Sequence, residues 1–484
     1  MELLTGTTSI TPTSQQPADI STMTGISLGL ARISRLLTQL GSPHLATPIV
    51  HIAGTNGKGS VSAYISSILS SSSLRVGRFN SPHLVDEWDC VQIAGKPVSQ
   101  PLFQQLKLDV ETVNAQESIG ATSFEVLTAT AFSIFARVRP KLDVAVVEVG
   151  MGGLTDATNV VSAERTLLSV VTSIELDHQK FLGDTVADIA RVKAGITKRG
   201  CDVVMARQVH KDVPVVVAQT AQEMGSRVWT AGEAKIVKDG IESDMFPPAP
   251  LVRIPLVPAD GDVDEQIRDH VQCRLPLAGS YQLQNSAVAV LAAVVLRSRP
   301  RTLSLVPELS QITNECIASG IEQTDWPGRL SWLDVPRLDG RRLRLLVDGA
   351  HNPSSSSVLA SYIASLPNEY KPKTLVTALS SPRTPSSILD PILSCTGIEK
   401  VFATKFTKPV GMEWVQPVET RDIATYLKQL DKRIHVDQFD DVRNVLDRLR
   451  SSEIEDETVL VAGSLYLVAD VYRYLRNVPA CEIE

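Results

Sequence analysis

The strongest local signal for the fold is a glycine-rich stretch, His51-Ile52-Ala53-Gly54-Thr55-Asn56-Gly57-Lys58-Gly59-Ser60. It lies between an apolar run, 48–53, and a helix-like segment, 58–72. Glycines in such a turn let backbone N–H groups converge on phosphate oxygens, and the start of the helix adds favourable potential. Lys58 can reach the β and γ phosphates, and the Ser60 hydroxyl can help to place Mg²⁺. We therefore predict a phosphate cradle formed by Gly54, Thr55, Asn56, Gly57, Lys58, Gly59 and Ser60.

This turn departs from the generic phosphate-loop pattern G-x-x-x-x-G-K-[ST]. Ile52 stands where the first glycine would fall, and Gly59 separates Lys58 from Ser60. The alternative is a glycine-rich strand-to-helix turn that binds no ligand. A lysine among five small or polar neighbours is more than such a turn requires, and this favours phosphate binding.

Outward from this turn, short β-rich runs alternate with helix-like segments, which is typical of a parallel sheet covered by helices. A chain of 484 residues exceeds what one core usually organises. We expect an α/β protein with a P-loop central domain at 23–318 and a smaller, Rossmann-like α/β domain at 324–484. Residues 1–22, rich in Ser, Thr and Pro, are predicted to be a disordered tail. Residues 231–274 break the alternation, and we interpret them as an irregular excursion on the first domain.

Composition narrows the class of partner. The formal charge of -7 and the pI of about 5.7 disfavour a nucleic-acid-binding surface. The longest apolar run, Val288 to Leu296, is shorter than the roughly 18 residues that a membrane span needs. No Lys or Arg precedes Arg32, which argues against a secretory or transit peptide. No C-x-x-C pair occurs among the six cysteines, so neither a zinc site nor a disulfide framework is indicated. We expect a cytoplasmic protein with small-molecule partners, no nucleic acid and no membrane.

Two polar side chains follow predicted strands of the first domain, at the sheet edge where α/β proteins bind ligands. Glu148 ends a buried apolar run and can hold a cation. Its alternative is a strand-end glutamate that pairs with a neighbouring Lys or Arg, because an isolated buried charge would be very costly. His178, within Leu176-Asp177-His178-Gln179, is either a metal ligand, a neighbour of one, or a structural histidine.

Two further candidates are weaker on local sequence. Lys193 lies on a helix that ends near Gly195, where a solvated helix lysine is the ordinary interpretation. In the second domain, the run from Asp348 through His351 to Pro353 follows a strand. Asp, Gly, Asn and Pro are all turn formers, so ligand binding and plain turn chemistry explain this run equally well.

Eight motifs, taken together and in order, resemble the folylpolyglutamate synthase and dihydrofolate synthase branch of the Mur ligase family. They are GTNGKGS (54–60), SPHL (81–84), VVEVGMGG (146–153), LDHQKFLGDT (176–185), KAGI (193–196), YQLQN (281–285), WPGRL (326–330) and DGAHNP (348–353). The resemblance extends from about Gly29 to Tyr466, which is nearly the whole chain. It implies a Mur-ligase-like fold.

The resemblance also implies roles for single residues. Lys58 and its loop would bind ATP, and Ser81, Glu148 and His178 would hold Mg²⁺. Lys193 would be carried as a carbamate, which turns a cation into an anion able to support a second Mg²⁺. The residues expected around the nucleotide are Gln282 and Asn285 in the first domain and Arg329 and Asp348 in the second, with His351 on the acceptor side. Catalysis would rest on Lys58, His178, Lys193, Asp348 and His351.

The implied reaction joins L-glutamate to a pterin-bearing acid through an acyl phosphate, with dihydropteroate or a folate as the acceptor. Segment 85–91, Val-Asp-Glu-Trp-Asp-Cys-Val, resembles fungal dihydrofolate synthases, whereas polyglutamate synthases commonly carry an arginine there. The shortage of positive charge favours dihydropteroate, which has no glutamate tail. Tyr281 is a second departure, since many relatives have His. We expect a monomer. The competing interpretations are a catalytically inactive regulatory protein and an ordinary P-loop NTPase.

Overall fold

The computed structural model describes residues 29–237, 249–259, 269–409, 415–451 and 458–479. Two α/β domains, each built on a largely parallel sheet, follow one another along the chain. This confirms the predicted fold class. The predicted tail, 1–22, lies outside the described residues.

The first domain contains an eight-stranded sheet in the order β4-β3-β2-β5-β1-β6-β7-β8. Its strands are β1 (Ile49–Ala53), β2 (Val76–Phe79), β3 (Val91–Ile93), β4 (Lys96–Pro97), β5 (Val144–Glu148), β6 (Thr166–Val171), β7 (Val203–Met205) and β8 (Val228–Thr230). Six neighbouring strands of this sheet run parallel to one another: β2, β5, β1, β6, β7 and β8. Strands β3 and β4 extend the sheet beyond β2 with antiparallel pairing. Strands β1 and β5 are central and buried throughout, as continuous apolar runs in a parallel sheet should be.

Helices cover both faces of this sheet. They are α1 (Ala31–Gln39), α2 (Lys58–Ser71), α3 (Gln100–Gln116), α4 (Ser123–Arg137), α5 (Gln179–Leu182), α6 (Val186–Ala194), α7 (Asp212–Glu223), α8 (Tyr281–Ser298), α9 (Pro300–Leu305) and α10 (Asn314–Glu322). Side chains of α2 and α8 share one hydrophobic core, and those of α1, α3 and α4 form another with the opposite face. Short 3₁₀ helices lie at 43–45, 87–90, 157–160, 163–165 and 307–311.

The prediction of an irregular excursion at 231–274 was wrong for its described part. Three strands, β9 (Lys235–Ile236), β10 (Leu251–Pro255) and β11 (His270–Arg274), form an antiparallel sheet. Val252, Ile254 and Val271 are buried in the core that α2 and α8 share. The alternation of apolar and polar residues in these short strands is visible in the sequence, but the turn-forming residues between them obscure it.

The second domain contains a six-stranded sheet in the order β12-β13-β17-β14-β15-β16. Its strands are β12 (Ser331–Pro336), β13 (Arg342–Val347), β14 (Thr374–Thr377), β15 (Lys400–Ala403), β16 (His435–Gln438) and β17 (Thr458–Ala462). Only β12 is antiparallel within this sheet as described. Its helices are α11 (Pro353–Ser365), α12 (Pro385–Cys395), α13 (Thr420–Leu430), α14 (Val442–Arg450) and α15 (Leu465–Leu475), with a 3₁₀ turn at 368–370.

The connection between the two sheets is short. Helix α10 continues past residue 318 and packs on α2, where Gly320 lies against the backbone of Ile68. The chain then passes from Glu322 to Ser331, where β12 begins. No helix in the described part of the chain is long and apolar enough to cross a membrane.

Candidate functional site

The glycine-rich turn links β1 to α2, as the sequence predicts, and its glycines are structurally required. Gly57 caps α2 with a φ of 88°, which favours glycine. A side chain at Gly54 would collide with Thr172 of the neighbouring strand end. The Nζ of Lys58 lies 3.3 Å from the Thr55 carbonyl oxygen, so the lysine folds back over the turn. The backbone is therefore shaped to approach a ligand closely.

Glu148 is buried at the end of β5 and is surrounded by groups that favour its ionised form. Burial raises its pKa, while Lys58, Asn80, Arg329 and Arg78 oppose that rise. Asn80 Nδ2 donates to Glu148 Oε2 at 2.7 Å, and Lys58 Nζ lies 3.9 Å from Oε1. The strand-end pairing that we considered as an alternative is thus present, but its partner is the lysine of the phosphate loop. The pairing is therefore compatible with a role for Glu148 in ligand binding.

Helix α8 supports the phosphate loop from behind. Gln282 Nε2 donates to the Ser60 hydroxyl at 3.2 Å, and Asn285 Nδ2 donates to Gln282 Oε1 at 3.0 Å. A side chain at Gly57 would collide with Asn285. Gln282 is fully buried. The structure therefore brings Gln282 and Asn285 to the loop, where they orient Ser60 and Gly57.

A cavity of about 120 Å³ opens beside this loop. Its lining residues come from the first domain and from the connection between the domains: Gly57, Gly59, Ser60, Asn80, Ser81, Pro82, Glu148, Tyr281, Trp326 and Arg329. Trp326 explains why Gly59 departs from the generic pattern, because any side chain at Gly59 would collide with the indole ring. The Arg78 guanidinium lies 5.0 Å from the centre of the same ring. The phosphate loop thus contacts the connection between the domains directly.

Lys193 is buried beside the phosphate loop, so the solvated interpretation is wrong. Its side chain is 3% exposed and its Nζ donates to the Gly54 carbonyl oxygen at 2.8 Å. Burial, reinforced by the charge of Lys58, lowers the pKa of Lys193 to about 7. Near neutral pH a large fraction of the amine is therefore uncharged and nucleophilic.

His178 differs from Glu148, Lys193 and Asp348 because it is exposed. Its side chain is 52% exposed, its φ is 50°, and its nearest ionic partner is Asp177, 3.5 Å away. It does not line the cavity. Among the described residues no three His, Cys, Asp or Glu side chains converge on one point. The oxygen donors beside the loop, Glu148, Ser81 and Ser60, nevertheless suit Mg²⁺, which commonly uses one carboxylate together with substrate phosphates and water.

Across the cleft, Asp348 is buried at the end of β13. Its two carboxylate oxygens accept hydrogen bonds from the backbone N–H groups of Leu330 and Ala350, each at 2.8 Å. Burial raises the pKa of Asp348, and the charge of Arg329 opposes that rise. Gly349 leaves room for Arg329, since a side chain there would collide with the guanidinium. Asp348 thus holds the turn that presents Arg329 to the cavity, and Arg329 lies close enough to favour ionisation of both Asp348 and Glu148.

His351 has one ring nitrogen engaged. Nδ1 lies 2.7 Å from the Gly349 carbonyl oxygen, which can only accept, so Nδ1 carries the proton. Burial lowers the pKa of His351. The neutral ring therefore keeps Nε2 as an acceptor, and the charges of Arg383 and, from the first domain, Asp177 act on it. The turn from Asp348 to Pro353 is both a helix start, capped by Asn352, and a polar rim of the cleft.

Four residues near the site escaped the sequence analysis as site residues. Arg78 and Asn80 lie on or just after β2, Trp326 lies within WPGRL, and Arg383 lies in the turn after β14. Arg383 donates to Ser380 at 3.3 Å and has no carboxylate partner among the described residues. Asn80 and Arg383 could have been predicted from the sequence, because both follow the carboxyl ends of parallel strands, where α/β proteins bind ligands. No local signal distinguishes Arg78 from an ordinary strand arginine.

Comparison with known families places this geometry in context. The Mur ligase middle domain matches residues 52–293, and the dihydrofolate synthetase C-terminal domain matches residues 331–474. Among curated proteins, dihydrofolate synthetase of Saccharomyces cerevisiae is 32% identical over 93% of this chain and 100% of its own length. The probable dihydrofolate synthetase of Schizosaccharomyces pombe is 34% identical over 93% of this chain and 99% of its own.

Solved structures with the same overall fold span nearly the whole chain. Escherichia coli FolC, solved with DHPP and ADP, has a TM-score of 0.69 at 26% identity and covers 95% of each chain. The folylpolyglutamate synthase of Thermotoga maritima has a TM-score of 0.71 at 26% identity, covering 93% of this chain and 94% of its own.

Proposed function

The chain belongs to the dihydrofolate synthase and folylpolyglutamate synthase family of Mur ligases, and on that basis we propose that it joins L-glutamate to dihydropteroate at the expense of ATP. One observation carries this proposal: Glu148 and Arg329 line one cavity beside the glycine-rich turn, and the lysine of that turn, Lys58, lies 3.9 Å from Glu148. These groups suit phosphoryl transfer, where catalysis comes chiefly from positioning and charge stabilisation. The full-length similarity to fungal dihydrofolate synthetases supplies the acceptor.

In the first step the acceptor's carboxylate oxygen attacks the γ-phosphorus of ATP, the bond to ADP breaks, and an acyl phosphate forms. Negative charge spreads over the transferred group during this step. Lys58, which lies beside Glu148, and Arg329, which lines the cavity, would offset that charge. Closure of the domains would exclude the water that could hydrolyse the acyl phosphate.

In the second step the glutamate amine attacks the acyl carbon, phosphate leaves, and the nitrogen loses a proton. Nε2 of neutral His351 suits that proton, because Nδ1 is already committed to Gly349. His351→Gln should therefore lower the turnover number with little change in nucleotide affinity. If the turnover number of His351→Gln equalled that of wild type across pH 6–9, a proton-accepting role of His351 would be excluded.

Arg383 suits one of the carboxylates of glutamate. A guanidinium without a carboxylate partner, close enough to act on His351, can bind a carboxylate through two hydrogen bonds. Arg383→Ala should raise the KM for glutamate about tenfold or more, as expected for a lost charged hydrogen-bond pair, and leave the KM for ATP unchanged. Arg421→Ala, an exposed arginine on α13, is the matched control. A parallel rise in both KM values would argue against this role.

The proposed metal and carbamate use residues that fit them. Glu148, Ser81 and Ser60 would hold Mg²⁺, which would withdraw charge from the phosphates. His178 is proposed to join them when the domains close around substrates. A carbamate forms when a neutral amine attacks carbon dioxide, and the lowered pKa of Lys193 provides that amine.

The decisive experiment offers purified protein ATP, Mg²⁺ and glutamate with dihydropteroate or a reduced folate in separate reactions. Product mass and phosphate release are measured together. Conversion of dihydropteroate supports the proposal, and conversion of reduced folate alone would contradict it. A bifunctional enzyme is the second candidate, because the Bacillus subtilis dihydrofolate synthase/folylpolyglutamate synthase matches 93% of this chain at 28% identity.

The same assay separates the remaining interpretations. Phosphate release that depends on both glutamate and a pterin acid excludes an ordinary P-loop NTPase, and any turnover excludes an inactive regulatory protein. We further propose that the protein acts as a monomer. We also propose that it works in the cytoplasm, a reducing compartment with which the free thiols of Cys90, Cys201, Cys273 and Cys316 in the described part of the chain are compatible.

A further inference from the structure

The acidic turn after Ser81 docks on the last helix of the second domain. Asp86 Oδ2 lies 2.8 Å from Arg476 Nη1, and Asp89 Oδ1 lies 3.6 Å from Arg476 Nη2. Arg473 donates to the Val85 carbonyl oxygen at 3.0 Å. Two arginines at the end of α15 therefore hold three acceptors of the first domain.

Apolar contacts reinforce this docking. Val85 is 5% exposed and is part of the second domain's hydrophobic core, although it belongs to the first domain in sequence. Leu84 packs so closely on Gly328 that a side chain there would lie 2.8 Å from Leu84 Cδ1. The Gly328 N–H donates to the Tyr472 hydroxyl at 3.2 Å. Helix α15 thus fixes both the turn and the connection between the domains.

The other end of the same turn enters the catalytic cavity. Asn80 donates to Glu148, and Ser81 lines the cavity wall. Between the two ends, the Asp89 carboxylate accepts hydrogen bonds from the N–H groups of Val85 at 3.0 Å and Asp86 at 2.9 Å. This cap makes segment 85–89 a compact unit, and only Pro82, His83 and Leu84 separate it from Ser81.

We propose that Arg476, acting through Asp86 and Asp89, is a positioning residue for the ligase reaction. It sets where Asn80 and Ser81 stand relative to Arg329 across the cavity, and so couples the angle between the domains to the phosphate site. The acidity of segment 85–91 then serves domain docking, because Asp86 and Asp89 face Arg476. The inference rests on the proposed function only for its activity measurement.

The test reverses the charges one at a time and together. Asp86→Arg and Arg476→Asp should each lower the turnover number about tenfold or more, and should change the radius of gyration measured by X-ray scattering with ADP and Mg²⁺. The double variant should recover most of both properties. Recovery will be partial, because Asp89 still faces the new acid. The melting temperature should fall in Arg476→Asp, because the two side chains are only 30% and 26% exposed, and it should fall further in Asp86→Arg, because the Asp86 carboxylate also caps the 3₁₀ helix at 87–90.

The matched control is a second ion pair of the same turn. Glu87 Oε2 lies 2.6 Å from Lys107 Nζ, and both residues belong to the first domain. Reversing Glu87 and Lys107 should leave scattering and turnover near wild type. The inference would be overturned if the reversals at Glu87 and Lys107 changed scattering and turnover as much as those at Asp86 and Arg476. It would also be overturned if Arg476→Asp behaved like wild type, or if the double variant folded but recovered neither property. The scattering measurement with ADP does not depend on the ligation reaction. It therefore still tests the role of Arg476 if the enzyme does not convert dihydropteroate.

Discussion

The two rims of the cleft are built differently. Around the phosphate loop, Lys58, Glu148, Asn80 and Gln282 are buried or half-buried and joined by hydrogen bonds and an ion pair. On the outer rim, His178 and Arg383 are exposed and make few contacts. The phosphate half is therefore assembled before any ligand binds, whereas we expect substrate to order the outer rim. Preorganised groups contribute most to charge stabilisation because they need no rearrangement during reaction.

The contrast between the two rims can be tested most strongly at Lys193, which is buried beside the phosphate loop and donates to the Gly54 carbonyl oxygen. Lys193→Ala should lower the turnover number about 10³-fold, the scale of removing one buried electrostatic group at a reacting centre. Short carboxylates such as acetate should restore part of the activity if a carbamate is the working species. Arg191→Ala, on the exposed face of the same helix, is the control. Undiminished activity of Lys193→Ala would remove this residue from the mechanism.

Gly59 tests whether the phosphate loop depends on the connection between the domains. Gly59→Ala places a methyl group against Trp326. Overpacking of this kind costs about 2–3 kcal/mol, which corresponds to roughly 100-fold in nucleotide affinity. Trp326→Leu should restore much of that affinity in the double variant, because the smaller side chain leaves space. If the double variant binds ADP no better than Gly59→Ala, the glycine serves the phosphates and not the indole.

The sequence predicted the parts of the fold that repeat a short-range pattern. The strands from β13 to β17 follow from apolar runs bounded by turn residues, and the phosphate loop follows from a strand, glycines and a helix. Strand β12 was missed because Asp334 interrupts its apolar residues and Pro336 ends it; pairing with β13 stabilises the strand where its local sequence does not.

The sequence predicted those site residues that belong to a recognisable local motif. It did not predict contacts between residues that are distant in sequence and that only the fold brings together. Lys58 and Glu148 carry local signals, and the structure places them 3.9 Å apart. Trp326 and Gly59 are 267 positions apart, and no local pattern relates them. Local sequence also does not reveal burial: it favoured a solvated Lys193 and a structural His178, yet Lys193 is buried and His178 is exposed.

A substitution of His178 tests whether the exposed outer rim acts in turnover and not in nucleotide binding. His178→Ala should lower the turnover number 10- to 100-fold, the range for disturbing the surroundings of a metal, while ADP affinity and melting temperature stay near wild type. His435→Ala, an exposed histidine of β16, is the control. A loss of ADP affinity as large as the loss of turnover would show that the outer rim is also assembled before substrate binds.

The smallest effect concerns the pH dependence of Lys193. Because burial lowers its pKa to about 7 from 10.5, the amine is mainly charged at pH 6 and mainly neutral at pH 8. Carbon dioxide reacts only with the neutral form, so enzyme stripped of carbon dioxide should regain activity about tenfold faster at pH 8 than at pH 6 when dissolved carbon dioxide is equal.

The same shift has a consequence for stability. Below pH 7 the folded state carries the full cost of a buried ammonium, and that cost shrinks as the pH rises from 7 towards 10.5. Lys193→Met should therefore stabilise the carbamate-free protein more at pH 6 than at pH 9, as measured by urea unfolding. Equal stabilisation at both pH values, or equal reactivation rates at pH 6 and pH 8, would show that the amine does not titrate near neutrality. Burial would then be insufficient to prepare Lys193 for carbamate formation.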